Sequence, residues 1–310
     1  MNDKHINQLL ATLQEGVNTL TSSEQYQNYL KTMARFPSYS ARNCLLIFTQ
    51  NPNATLVAGY KSWKRLFGRQ VREGEKGIRI LAPYSYTVEK TAGFNQIKET
   101  RIGYRSICVF DISQTEGPEL PALPQPALLC GKCGFLQASI PILRKLTGFA
   151  IYPAVLSNGH MGECWFSQKQ IFYSETLEEK HIFKTLIHEC THALLHDFSN
   201  DSQIDDFEHQ LYLNADLREI EAESVSYVVC QALGLDSADY SFHYIANYKQ
   251  NHAFLTESLQ RIARTAQVIL QALAPDLFCS YEPNNNKYPF NQQACLTSRQ
   301  GSTPASSTRP

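Results

Sequence analysis

No run of residues approaches the roughly 18–20 consecutive apolar positions that a membrane-spanning helix needs. The start, Met1-Asn2-Asp3-Lys4-His5, lacks the basic-then-apolar layout of a secretory signal. The nine cysteines are odd in number and scattered from Cys44 to Cys295 without a framework spacing, which fits reduced thiols better than disulfides. There is no internal repeat. What remains is a chain of 310 residues, 43% apolar and 18% charged, which excludes wholesale disorder and leaves room for two domains. The expectation is a soluble cytoplasmic protein without a membrane partner; its oligomeric state is left open.

The formal net charge of −1 hides an asymmetry. Residues 1–110 hold 15 Lys and Arg against 7 Asp and Glu, whereas the rest holds 13 against 22. A basic amino-terminal third on an acidic remainder points to two parts with different partners, the first of them anionic.

The first segment is expected to be helical, with Leu9, Leu10 and Leu13 at helical spacing and a helix start at Thr21-Ser22-Ser23-Glu24. A short helix is expected over Ala41 to Gln50. Thr55 to Tyr60 is strand-like, Lys61 to Phe67 helical, and Ile78–Ala82 and Tyr104–Phe110 read as strands. Four prolines between Pro118 and Pro126 favour an extended linker. The expected class is α+β: a small α+β domain at 1–117, a linker at 118–127, and a mostly helical domain at 128–281. From Glu282 to Pro310 the chain is Asn, Gln, Ser, Thr and Pro with little to bury, and is expected to be disordered.

His188-Glu189-Cys190-Thr191-His192 matches H-E-x-x-H. Thr176 and Glu179 read as a capping box, and Ile182, Phe183, Leu186, Ile187, Cys190 and Leu194 lay an apolar stripe along one helix. On it the two histidines stand one turn and about 40° apart, so both rings can reach one ion. Glu189 flanks them as a base rather than a ligand. His196 lies about 6 Å further along the axis, poorly placed to complete a tetrahedron, and the position of a metzincin third histidine is Phe198. The third ligand is therefore expected from Arg218-Glu219-Ile220-Glu221-Ala222-Glu223. Glu219 would ligate, Glu223 would hold a histidine by its other nitrogen, and Glu221 would point elsewhere. Ala222 and Ser226 are small enough to let the two helices approach. Cys130-Gly131-Lys132-Cys133 is a lone pair of cysteines, His181 and His243 read as solvated or packed, and Leu255, Leu259, Ile262, Ala266, Ile269 and Leu273 read as a core stripe.

Between Tyr60 and Arg79 stand Lys61, Lys64, Arg65, Arg69, Arg72, Lys76 and Arg79, interleaved with Tyr60, Trp63 and Phe67. Cations neutralise phosphates and aromatic faces stack on unpaired bases, so the mixture suits single-stranded nucleic acid. Asn43-Cys44-Leu45-Leu46-Ile47-Phe48-Thr49-Gln50, Ala54 to Tyr60 with Trp63, Gly68-Arg69-Gln70-Val71, Gly74 to Ile78 and Val109 to Gly117 resemble the amino-terminal domain of ArdC-type antirestriction proteins. The resemblance implies single-stranded DNA binding, with Asn43, Tyr60, Trp63, Lys64, Arg65, Arg69, Lys76 and Arg79 as candidate contacts. Residues from about Gly162 to Ala266 are similar to the zinc metallopeptidase domains of the ArdC, ImmA and IrrE group, whose motifs fall on His188-Glu189-x-x-His192 and Glu219-x-x-Ala222. The acidic stretch from Asp197 to Leu213 departs from that pattern.

The residues and the resemblance together give a DNA-binding, gluzincin-like metallopeptidase whose domain at 128–281 is zincin-like and which hydrolyses peptide bonds of DNA-associated proteins; the resemblance implies an antirestriction-like role on a mobile element. One Zn2+ would be held by His188, His192 and Glu219, with Glu189 as the catalytic base and Glu223 behind a histidine. Its partners would be single-stranded DNA and a protein or peptide substrate. Two alternatives stand beside it: a non-catalytic DNA-binding antirestriction protein with structural zinc, and a regulatory protease that cleaves one repressor.

Overall fold

The computed structural model describes residues 2–20, 22–92, 95–120, 135–156, 159–198, 214–235 and 252–279. Three helices come first: α1 (Asn2–Thr19), α2 (Ser23–Arg35) and α3 (Ala41–Gln50). Serine caps set two of their starts. The Ser22 hydroxyl accepts from the Gln25 N–H and the Ser40 hydroxyl from the Asn43 N–H, each satisfying a donor that the first turn leaves over. Strand β1 (Val57–Gly59) runs into α4 (Tyr60–Phe67), which Gly68 ends at φ 64°, a left-handed conformation natural to glycine.

After β2 (Gln70–Val71) come β3 (Ile78–Ala92) and β4 (Asn95–Asp111), a 3-10 turn over Ile112–Gln114, and β5 (Thr115–Glu116). The strand order is β1-β4-β3 in one sheet and β2-β5 in another. Strands β3 and β4 run well past the expected Ile78–Ala82 and Tyr104–Phe110. Pro83 lies within β3, and because β3 is an edge strand its missing N–H is tolerated.

The edge of β3 is covered in an unusual way. Asn43 donates to the Leu81 carbonyl at 2.9 Å and accepts from its N–H at 3.0 Å. Two turns along α3, Gln50 does the same to Arg79, both at 2.9 Å. Two side-chain amides thus stand in for a further strand.

The carboxyl-terminal half holds α5 (Phe135–Thr147), β6 (Ala150–Ala154), β7 (Gly162–Trp165), β8 (Gln170–Ser174), α6 (Glu179–Leu195), α7 (Ala215–Ala232), α8 (His252–Leu273) and the short α9 (Asp276–Cys279). Its sheet has the order β6-β8-β7, with β6 parallel and β7 antiparallel to β8. Strands β7 and β8 are joined by a turn in which Lys169 adopts φ 53°. Helices with small sheets fit the α+β class.

The described residues form two compact units. One takes in residues up to Ala82 and from Arg105 onward; the other is the Pro83–Tyr104 portion of the β3–β4 ribbon. The sequence had placed a domain boundary at 118–127. Residues on either side of that stretch share one core, in which α2 packs along α7 and α1 and α3 along α8. The buried Tyr26 hydroxyl bonds to that of Ser224 at 2.9 Å. The reason is apolar surface: Tyr26, Tyr29, Leu30 and Met33 of α2 are buried, and the small sheet of the amino-terminal part cannot cover them together with the faces of α1 and α3. Residues 121–127, Cys130, Cys133, 199–213, His243 and the tail from 282 lie outside the described residues.

Candidate metal centre

Helix α6 is buried along most of its length, and its contact with α7 is close because the facing residues are small. Ala222 and Ser226 are fully buried, and the Ser226 hydroxyl donates to the Lys184 carbonyl of α6 at 3.0 Å. The helix does not start with the expected capping box. Its N-cap is Glu178, without a side-chain bond. Thr176 bonds to the Ser174 hydroxyl, and Glu179 accepts from the Leu136 N–H of α5.

The close approach brings His188, His192 and Glu219 together, each with one donor atom within 4.8 Å of the others. His188 Nε2 lies 3.2 Å from Glu219 Oε2 and 3.1 Å from His192 Nε2, and the latter is 3.4 Å from Glu219 Oε1. Ligands about 2.0–2.1 Å from a tetrahedral ion stand about 3.3 Å apart, so these spacings suit one small divalent cation. Two nitrogens and a carboxylate are also a donor set that zinc accepts. Behind the trio, Glu223 bridges His188 Nδ1 at 3.3 Å and Lys184 Nζ at 3.4 Å.

The electrostatics favour a cation here. Burial opposes charge on His188, but Glu219, Glu223 and Glu189 outweigh it and raise its pKa to about 10. The same histidines hold the Glu219 carboxyl well below the usual carboxylate range. Glu189 behaves differently. It is buried, and that burial raises its pKa despite the pull of both histidines.

Glu189 fits because position 162 has no side chain. A Cβ there would lie 2.8 Å from Glu189 Oε1 and 2.5 Å from Thr185 Cγ2. Gly162→Ala is therefore expected to cost about 1–3 kcal/mol, as overpacking does. Wild-type stability in urea for that variant would contradict the packing.

Sequence reasoning missed the far side of His192. Its Nδ1 meets His196 Nδ1 at 2.9 Å, and His196 Nε2 meets Glu221 Oε2 at 3.0 Å. Burial drives His196 down to about 4 against the pull of Glu221, so the ring is neutral at pH 7. The signal was the third histidine at a further step of four on a helix otherwise apolar on that side.

The candidate nucleic-acid contacts divide. Trp63 is fully buried and donates to the Phe110 carbonyl at 2.9 Å, so it cannot stack on a base. Asn43 is occupied by Leu81. Arg69 spends its guanidinium on Thr115, Gly117 and Pro118, closing the β2–β5 corner. Tyr60, Lys64, Arg65 and Lys76 are exposed, as is Lys61. Arg79 is half-buried and held through its backbone by Gln50.

Comparison with known proteins bears on the two halves unequally. Residues 1–110 match the family model of the N-terminal domain of the anti-restriction factor ArdC. An uncharacterized protein of Bacillus anthracis is 25% identical over 293 residues, covering 81% of this chain and 48% of its own. The chain thus spans about half the length of that curated relative. Two crystal structures of the antirestriction ArdC protein from the R388 plasmid, one metal-free and one Mn(II)-bound, align with TM-scores of 0.47 and 0.45. Each is 18% identical, over 76% of this chain and 85% of its own.

Proposed function

We propose that the chain is a metal-dependent peptidase whose amino-terminal part binds single-stranded DNA, and that it serves antirestriction by cutting proteins associated with DNA. The observation that carries the reading is a pair of imidazole nitrogens 3.1 Å apart, each 3.2–3.4 Å from an oxygen of the Glu219 carboxylate, beside the buried Glu189 carboxylate that is not one of them. Zinc is the proposed ion. Bound there, it would polarise a scissile carbonyl and make water a better nucleophile at neutral pH.

The chain's own residues supply the rest. Glu189 takes the proton of the attacking water on its carboxylate and returns it to the leaving amine. Strand β7, paired on one side only among the described residues, offers its other edge to an extended peptide. Glu223 keeps the His188 ring turned toward the trio. A structural zinc site is closed by four protein ligands. Here three are found among the described residues, and the Glu219 side chain is 56% exposed. That openness favours catalysis over a structural role.

The DNA part of the reading rests on the match over residues 1–110 and on the exposed Tyr60, Lys61, Lys64, Arg65 and Lys76. The test is to incubate the zinc-loaded chain with proteins bound to single-stranded DNA and to read new termini by mass spectrometry. New termini that vanish with a chelator, and that form faster on shared DNA than in solution, are the expected result. No new termini from a chain that holds zinc and DNA would overturn the reading in favour of simple shielding.

A further inference from the structure

A histidine that binds a metal through Nε2 needs its proton on Nδ1, and something must keep it there. For His188 that is the Glu223 carboxylate. For His192 it is another ring. His192 Nδ1 and His196 Nδ1 face each other at 2.9 Å, and only one of the two can carry a proton.

The choice is made one residue further back. Glu221 Oε1 accepts from the Ser258 hydroxyl at 2.7 Å, and Oε2 lies 3.4 Å from Arg261 Nε and 3.0 Å from His196 Nε2. Arg261 also donates to the Leu195 carbonyl at the end of α6, 2.9 Å away. A carboxylate can only accept, so the hydrogen sits on His196 Nε2 and leaves its Nδ1 as the acceptor. The hydrogen between the rings then belongs to His192 Nδ1, and the His192 Nε2 lone pair faces His188 and Glu219. The His196 and Glu221 side chains are both fully buried.

We infer that His196 and Glu221 are positioning residues which, through a chain from α8 across α7 to α6, fix His192 in the tautomer that presents Nε2 to a metal. Sealing charged and polar groups into the core is costly unless every one is matched, and here each has a partner. The inference rests on the reading of His188, His192 and Glu219 as ligands.

Glu221→Leu is the discriminating variant, because it removes the acceptor that holds the hydrogen on His196 Nε2. Glu221→Gln is its control: the amide oxygen can keep its place beside Arg261 and His196 while the amide nitrogen turns to the Ser258 hydroxyl oxygen. His196→Phe removes the acceptor of His192 Nδ1, whereas His196→Asn keeps an oxygen near the place of that acceptor. Zinc affinity of the full chain, measured against a competing chelator at fixed pH, should fall about 10–100-fold in Glu221→Leu and His196→Phe. It should stay within about threefold of wild type in Glu221→Gln and His196→Asn. In the metal-free chain, nitrogen NMR should find the His192 proton on Nδ1 in wild type and Glu221→Gln, and divided between Nδ1 and Nε2 in Glu221→Leu. That second readout needs no metal, so it judges the lock even if wild type fails to bind zinc and the ligand assignment falls. An unchanged His192 tautomer in Glu221→Leu, or zinc affinity lost equally in all four variants, would overturn the inference.

Discussion

Glu189→Gln is expected to lower peptide hydrolysis by about 10²–10⁴-fold while the chain keeps its zinc. The amide has nearly the size of the carboxylate, so it fits the space that Gly162 leaves open and disturbs no packing. It cannot take the proton of an attacking water. The donor atoms that would hold the ion belong to His188, His192 and Glu219, and none is altered. His192→Ala should behave in the opposite way, losing zinc and hydrolysis together. Zinc content measured beside peptide turnover separates the two cases. Full hydrolysis by the zinc-loaded Glu189→Gln chain would remove Glu189 from the chemistry.

Trp63→Ala is expected to destabilise the protein by about 3–5 kcal/mol, the range for deleting a fully buried large aromatic. The indole is completely buried, its ring centroid lies 4.9 Å from that of Phe67, and its N–H holds the Phe110 carbonyl of β4. Removing it opens a cavity and takes the indole N–H away from that carbonyl. Any loss of DNA binding in this variant would follow from loss of fold. Tyr60→Ala, Lys64→Ala and Arg65→Ala change exposed side chains of the same helix and should stay within about 0.5 kcal/mol of wild type. If these cations meet phosphates, each lysine or arginine removed should flatten the salt dependence of single-strand binding by about 0.7. Urea denaturation and salt titration of binding check the two statements. A Trp63→Ala chain as stable as wild type would contradict the buried assignment.

Features that depend on neighbours in sequence could be read from it. The start of α2 is written in Ser22, the end of α4 in Gly68, and the pairing of His188 with His192 in one helical turn. Trp63 could have been read correctly too. With Phe67 it occupies one face of a short helix whose other face is Lys61, Lys64 and Arg65, and a face of that kind is usually buried. The roles that were missed depend on distant partners. Asn43 finds its place only because β3 passes it 38 residues later. His196 and Glu221 meet across two helices 25 residues apart. Contacts across the proline run are of the same long-range kind. A run of prolines tells of local stiffness but not of whether Tyr26 will reach Ser224 on the far side of it.

The most direct test of the metal centre is X-ray absorption at the zinc edge on the one-to-one complex of the full chain. The account predicts a shell of nitrogen and oxygen donors at about 2.0–2.1 Å, with the scattering pattern of two imidazoles. That pattern should be weakened by one ring in His188→Ala. A sulfur shell at about 2.3 Å, or a zinc ion surrounded by water alone, would contradict it.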